Sequence, residues 1–184
     1  MVETEKKPAS TLWKVADVEE ASSRLFRWRQ AEQRIVFTNG CFDLLHPGHV
    51  SLLHQARHLG DRLIVGLNTD ASIRRLKGEQ RPILPGHDRA AILSALEDVD
   101  MVVFFVEDTP LNLIGQLKPD LLVKGADYRV ADVFGKSIVE SYGGQVRLVD
   151  ILEGHSTTAI ARKLSANGNT KEEGVNNGHQ PGTA

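Results

Sequence analysis

Two histidines, His46 and His49, stand three residues apart with Pro47 and Gly48 between them, just after the polar run Thr38-Asn39-Gly40-Cys41-Phe42-Asp43. The apolar stretch Arg34-Ile35-Val36-Phe37 before this run reads as a strand, and Val50 to Leu59 after it reads as a helix. A small, glycine-bearing turn therefore lies between the carboxyl end of a strand and the amino end of a helix. Unpaired N–H groups point outward there and the helix dipole favours negative charge, so the place suits a phosphate. At this spacing both imidazoles share one face and reach the same bound phosphate. Thr38, Asn39, Gly40, Cys41 and Phe42 line the cradle, and Gly40 lets the backbone approach a ligand closely. Zinc is a weaker occupant, since two histidines want a third ligand and none is obviously placed. Cys41 reads as a small loop residue, because no partner that would activate a nucleophile is evident.

Three further segments carry chemistry. Arg74, Arg75, Lys77, Arg81 and Arg89 fall within sixteen residues, opposed only by Glu79 and Asp88. They read as a mobile basic loop closing on phosphates, or as a solvated charged loop. Val123-Lys124-Gly125-Ala126-Asp127-Tyr128 follows a strand and lies at the binding edge of a sheet. Lys124 there suits a phosphate and Asp127 a sugar or base; a plain β–α turn is the alternative. Glu153-Gly154-His155-Ser156-Thr157-Thr158 precedes a helical pattern. Capping explains one hydroxyl, whereas three in a row after a glycine suggest hydroxyls and N–H groups turned toward a phosphate.

These segments need a scaffold that brings strand ends together. Asp61–Asn68, Asp100–Phe105, Asp120–Lys124 and Gln145–Val149 read as strands, and Val18–Trp28 and Asp88–Leu96 as helices. Thr109-Pro110 starts another helix, with proline at its first position. Alternation of this kind predicts an α/β fold, a Rossmann-like doubly wound parallel sheet in a single domain. Residues 1–11 read as a flexible N-terminus, 12–164 as the domain and 165–184, nearly devoid of apolar residues, as a disordered tail. Arg24, Arg27, Arg29 and Arg34, interleaved with aromatics, suit the solvated face of an amphipathic helix better than a nucleic-acid patch.

The 184-residue chain has a formal charge of −2, which demands neither nucleic acid nor an anionic membrane. Its one cysteine excludes an intrachain disulfide and a cysteine metal cage. No signal-peptide pattern and no membrane-spanning run is visible, so a cytoplasmic location is expected.

The His46-Pro47-Gly48-His49 loop resembles the HxGH signature of the nucleotidyltransferase superfamily. Together with Phe37–Asp70, Arg74–Pro82, Val123–Tyr128 and Glu153–Thr158, it is similar to the bacterial ADP-heptose synthase nucleotidyltransferases, over roughly residues 12–164. Members of that family are D-glycero-β-D-manno-heptose 1-phosphate adenylyltransferases of lipopolysaccharide core assembly. The resemblance implies catalytic roles for His46, His49, Lys77 and Arg89, with Arg74, Arg75 and Arg81 less favoured. It implies nucleotide binding by Thr38, Asn39, Gly40, Cys41, Phe42, Gly48, Lys124, Gly125, Ser156, Thr157 and Thr158, and substrate binding by Asp43 and Asp127. It implies ATP with Mg²⁺, no protein-held metal, a sugar-phosphate acceptor and a homodimer. Related chains often carry a glycine at the place of Ala126. Glycerol-3-phosphate cytidylyltransferases carry an arginine at the place of Ile151. In many bacteria this activity is fused behind a sugar kinase, and the resemblance here leads us to expect the stand-alone form. A CTP-dependent enzyme acting on a polyol or sugar phosphate, and a non-catalytic nucleotide-binding module, stay open.

Overall fold

Apolar runs of about five residues, flanked by turn-forming residues, give strands buried on both faces, and amphipathic stretches between them give the covering helices. The computed structural model describes residues 11–126 and 129–152. In chain order the elements are β1 (Val15–Ala16), α1 (Val18–Gln30), β2 (Ile35–Gly40), α2 (Pro47–Arg57), β3 (Arg62–Asn68) and α3 (Asp70–Lys77). Then come α4 (Gly86–Ala95), β4 (Met101–Phe105), α5 (Leu111–Leu117), β5 (Leu121–Gly125), α6 (Lys136–Ser141) and β6 (Gln145–Val149). The strands form one parallel sheet in the order β1-β4-β3-β2-β5-β6. This is the expected doubly wound, Rossmann-like arrangement.

Successive residues of each strand face opposite sides, so the sheet has two cores. Ile35, Phe37, Ile64, Met101, Val103 and Leu122 pack with Ala21 and Leu25 of α1, Leu113, Ile114 and Leu117 of α5, and Val139 of α6. Val36, Leu63, Val65, Val102, Leu121 and Val123 pack with Leu53 and Ala56 of α2 and Ala90 and Leu93 of α4. Each fully buried side chain of this kind contributes about 1.5–3 kcal/mol.

The connections from β2 through β3 to β4 run one way across the sheet, and those from β5 to β6 run the other. The topological switch point is therefore between β2 and β5, where ligands bind in such sheets. The two strands pair only at Val36↔Leu121 and Phe37↔Leu122. β2 continues beside β3 to the Gly40↔Leu67 pair, and β5 continues beside β6 to Gly125↔Val149. Beyond Phe37 and Leu122, β2 and β5 part, and a crevice opens at their carboxyl ends.

Several element boundaries differ from the sequence expectation. Helix α2 begins at Pro47, a turn earlier than Val50, because proline fits the first helical position and His46 caps the end. Pro110 is the N-cap of α5 rather than its first residue. The basic stretch is not one mobile loop: Arg74, Arg75 and Lys77 lie on α3, capped by the Thr69 side chain, and Arg89 lies on α4. Helix α3 has only Ser72 and Ile73 buried, too few to print an apolar stripe. Arg29 Nη2 donates to the carbonyls of Leu117 and Lys118 at 2.6 and 2.7 Å, closing the end of α5. That contact gives one arginine of the α1 cluster a structural partner.

Candidate active site

The site is assembled from the carboxyl end of β2 outward. Thr38 and Asn39 lie at that end, and Thr38 Oγ1 and Asn39 Oδ1 are buried with no hydrogen-bond partner among the described residues. Native proteins leave few such atoms unpaired, and these two lie at the carboxyl end of β2 beside the switch point. Lys124, from β5, reaches across the crevice and its Nζ donates to the Asn39 carbonyl at 3.0 Å. The two strand ends are thus joined by a lysine where their backbones part. Gly40 follows Asn39, and a Cβ there would lie 3.1 Å from the Phe42 ring. Phe42 adopts φ 43°, left-handed backbone that is uncommon for an aromatic residue. This sharp turn swings the chain toward α2. The Phe42 ring, 4% exposed, packs in the core against His49, centroids 5.0 Å apart. The Phe42 ring thus seats a histidine beside the turn.

His46 is the N-cap of α2, with extended backbone and its Nδ1 accepting the His49 N–H at 3.3 Å. Because Nδ1 accepts, a neutral ring carries its proton on Nε2. Gly48 is buried in the first turn of α2. The imidazoles of His46 and His49 stack at 3.7 Å between centroids with 20° between planes. His49 is lowered from the usual 6.5 to about 4, first by burial, then by the charges of His46 and Lys77, with the Leu44 backbone working the other way. His49 is therefore neutral at pH 7. Its Nδ1 is buried without a hydrogen-bond partner among the described residues. Lys77, the exposed last residue of α3, is near enough for its charge to act on His49. Arg75 points elsewhere, donating to Asp108 at 2.8 Å and to the Val106 carbonyl at 2.6 Å.

Asp43 and Arg89, expected at substrate and phosphate, lie beneath the surface. Asp43 is 1% exposed; its Oδ1 accepts the N–H groups of Ile83 and Leu84 at 2.7 and 3.0 Å, and its Oδ2 pairs with Arg81 at 2.6 Å. The Arg89 side chain is fully buried. Its Nε donates to the Leu84 carbonyl, Nη1 to Cys41 and Nη2 to Asn68, with Asp70 as ion partner at 2.7 Å. One guanidinium thus ties together the loops after β2 and β3 and the start of α4. Burial works to raise the Asp70 pKa, but hydrogen bonds from Arg89 and the Gly86 N–H, with the charges of Arg89 and Arg74, hold it below the usual value. Asp70 and Asn68 escape a search for motifs because they act on other protein groups. Cys41 Sγ lies 4.0 Å from Asn68 Oδ1, and its carbonyl serves Arg89. Gly125 ends β5 at the crevice. Asp127, Ser156, Thr157 and Thr158 lie outside the described residues.

Residues 37–163 match the family described as cytidylyltransferase-like. The chain belongs to the cytidylyltransferase-like family. It is 54% identical over 153 residues to the bifunctional protein HldE of Magnetococcus marinus, covering 83% of this chain and 31% of the relative. It is 58% identical over 159 residues to the same-named protein of Acidiphilium cryptum, covering 86% and 33%. The chain thus spans about a third of the length of the curated relatives it matches. A solved lipopolysaccharide core biosynthesis protein from Thermoplasma volcanium is 31% identical, with a TM-score of 0.55 over 65% of this chain and 97% of that one. A pantoate-beta-alanine ligase from Francisella tularensis, solved with an ATP analogue and beta-alanine, is 19% identical, with a TM-score of 0.57 over 83% and 77%. This last likeness is one of fold. Among the described residues no helix is long and apolar enough to cross a membrane.

Proposed function

We propose that this chain transfers AMP from ATP to D-glycero-β-D-manno-heptose 1-phosphate, giving ADP-heptose and pyrophosphate for lipopolysaccharide core synthesis. The observation that carries this reading is the stacked His46–His49 pair at the switch point, in a cytidylyltransferase-like chain related to HldE proteins. The name of the Thermoplasma volcanium protein points toward the same pathway.

In this reaction a phosphate oxygen of the sugar attacks the α-phosphorus of ATP. The bond from that phosphorus to the β-bridging oxygen breaks, and pyrophosphate carries away the electron pair. The protein supplies position and charge compensation rather than a covalent intermediate. His46 turns Nε2–H toward the α-phosphate, an orientation fixed by Nδ1 capping the helix. His49, neutral at pH 7, stands behind it, and the N–H groups at the start of α2 add partial positive charge. Lys77 brings a full charge from α3. Lys124 holds the second strand end in register with the first. Arg89 and Asp43 act as positioning residues for the surrounding loops. Asp127 contacts the sugar or base, and Ser156, Thr157 and Thr158 take the β- and γ-phosphates.

Mg²⁺ arrives as part of the nucleotide. Asp43 is buried and ion-paired with Arg81, and Asp70 is ion-paired with Arg89, each also accepting backbone N–H groups, so neither offers a dedicated site. Such a donor set suits an ion held mainly by substrate phosphates and water. ATP supply places the reaction in the cytoplasm. The resemblance suggests a homodimer, which light scattering on a sizing column would test.

Pyrophosphate release over ATP and CTP, each with heptose 1-phosphate and glycerol 3-phosphate, tests the proposal. ATP with the heptose 1-phosphate should give by far the fastest release. Preference for CTP with glycerol 3-phosphate would overturn it in favour of a cytidylyltransferase, and silence with every pair in favour of a nucleotide-binding module.

A further inference from the structure

The opposite end of α2 carries a second pair of histidines that the reaction does not use. His54 lies in the last turn and His58 is the C-cap, so the two are four residues apart on one helix face. Their rings are 4.2 Å apart between centroids. Asp98, from the segment after α4, places Oδ2 3.1 Å from His54 Nδ1. One ligand atom from each of His54, His58 and Asp98 lies within 4.8 Å of the others. The three border a depression of about 590 Å³, which leaves room for water as a further ligand.

We propose that His54, His58 and Asp98 form a binding site for a divalent transition-metal ion of the zinc class, about one helix length from the nucleotide loop. Two imidazoles and a carboxylate are the ligand set such ions favour, with bonds of about 2.0–2.2 Å. The three ligand atoms, within 4.8 Å of one another, lie close enough to meet on one ion. A second observation supports ligation. His58 Nδ1 lies 2.8 Å from the His54 carbonyl, so Nδ1–H donates and the lone pair is on Nε2. A backbone carbonyl or carboxylate holding the far nitrogen is the usual outer partner of a metal-binding histidine. The neighbouring cation, Arg57, is drawn away: its Nη1 donates to the Gly60 carbonyl at 2.7 Å and its Nε lies 3.3 Å from Asp100. Glu97 adds a further carboxylate to the rim.

The site is independent of the adenylyl-transfer reading and is tested without turnover. The full-length chain is titrated with Zn²⁺ against a chromophoric chelator, and with Co²⁺ while the visible d–d bands are recorded. Wild type is compared with His54→Ala, His58→Ala, Asp98→Asn and His46→Ala, each checked for native circular dichroism. The site predicts one Zn²⁺ whose affinity falls at least tenfold in His54→Ala and His58→Ala, falls in Asp98→Asn and is unchanged in His46→Ala. Because all three side chains are at least partly exposed, folding should survive these changes. Absence of binding below about 100 µM, equal binding by the His54 and His58 variants, or loss only in His46→Ala would overturn the proposal.

Discussion

The imidazoles of His46 and His49 lie face to face, 3.7 Å between centroids and 20° between planes. Two charged rings at that spacing repel strongly, and burial adds to the cost on the inner one. The buried inner ring, His49, therefore stays neutral near pH 7 beside the outer ring of His46. The inner ring is a neutral backing whose position depends on Phe42 and on the first turn of α2.

Replacing either histidine should test this division. His46→Ala should lower kcat by on the order of 10²–10³, the usual loss for one transition-state donor, and His49→Ala, which removes only its backing, should lower it less. Steady-state pyrophosphate release with verified folding checks it. Wild-type turnover in either variant would leave the loop a binding element only.

The lowered pKa of His49 also has a consequence for stability. Its folded value is about 4 against 6.5 for an ordinary histidine, so between these values the unfolded chain binds more protons. Stability from this group is complete above about pH 6.5 and is lost as pH falls toward 4, to a limit of about 3 kcal/mol. Urea unfolding of wild type and His49→Gln at pH 7 and pH 4.5 isolates it. The difference between the two proteins should shift in favour of the variant at the lower pH. A constant difference would mean that His49 titrates normally.

Arg89 should behave as a structural cation. Arg89→Ala leaves Asp70 and three backbone carbonyls without their donor, and should cost about 3–5 kcal/mol, as breaking a buried ion pair does. Arg89→Lys keeps the charge but loses the planar fork, so it should recover only a minor part. Chemical denaturation measures both. A lysine variant as stable as wild type would show that charge alone suffices.

Asp43 allows a complementary test. Asp43→Asn keeps one acceptor for the Ile83 and Leu84 N–H groups but loses the Arg81 pair. It should destabilise by about 1–3 kcal/mol and lower kcat without a matching rise in the KM for the sugar phosphate. A selective rise in that KM, with stability unchanged, would place Asp43 against substrate instead.

Much of this is legible in the sequence. Strands β2 to β6 announce themselves as apolar runs, and the switch point follows from strand–helix alternation once order is known. The His46–His49 loop is local, so spacing alone describes it. What escaped detection depends on contacts distant in sequence. Arg89 and Asp43 carry the residue types of ligand-binding groups, and only the fold tells that their partners are Cys41, Asn68, Leu84, Asp70, Ile83 and Arg81. Helix α3 hid because it buries little, and β1 because its two residues are too few for a pattern.

The Arg89 guanidinium grips the chain at Cys41, Asn68 and Leu84, three places separated by 27 and 16 positions in sequence. Segments fastened to a common hub do not breathe one at a time. Their amide protons should exchange with deuterium as a single cooperative unit, at one shared opening free energy, rather than as three independent loops. The platform beneath the His46–His49 loop would then be either whole or absent, with no half-formed version between.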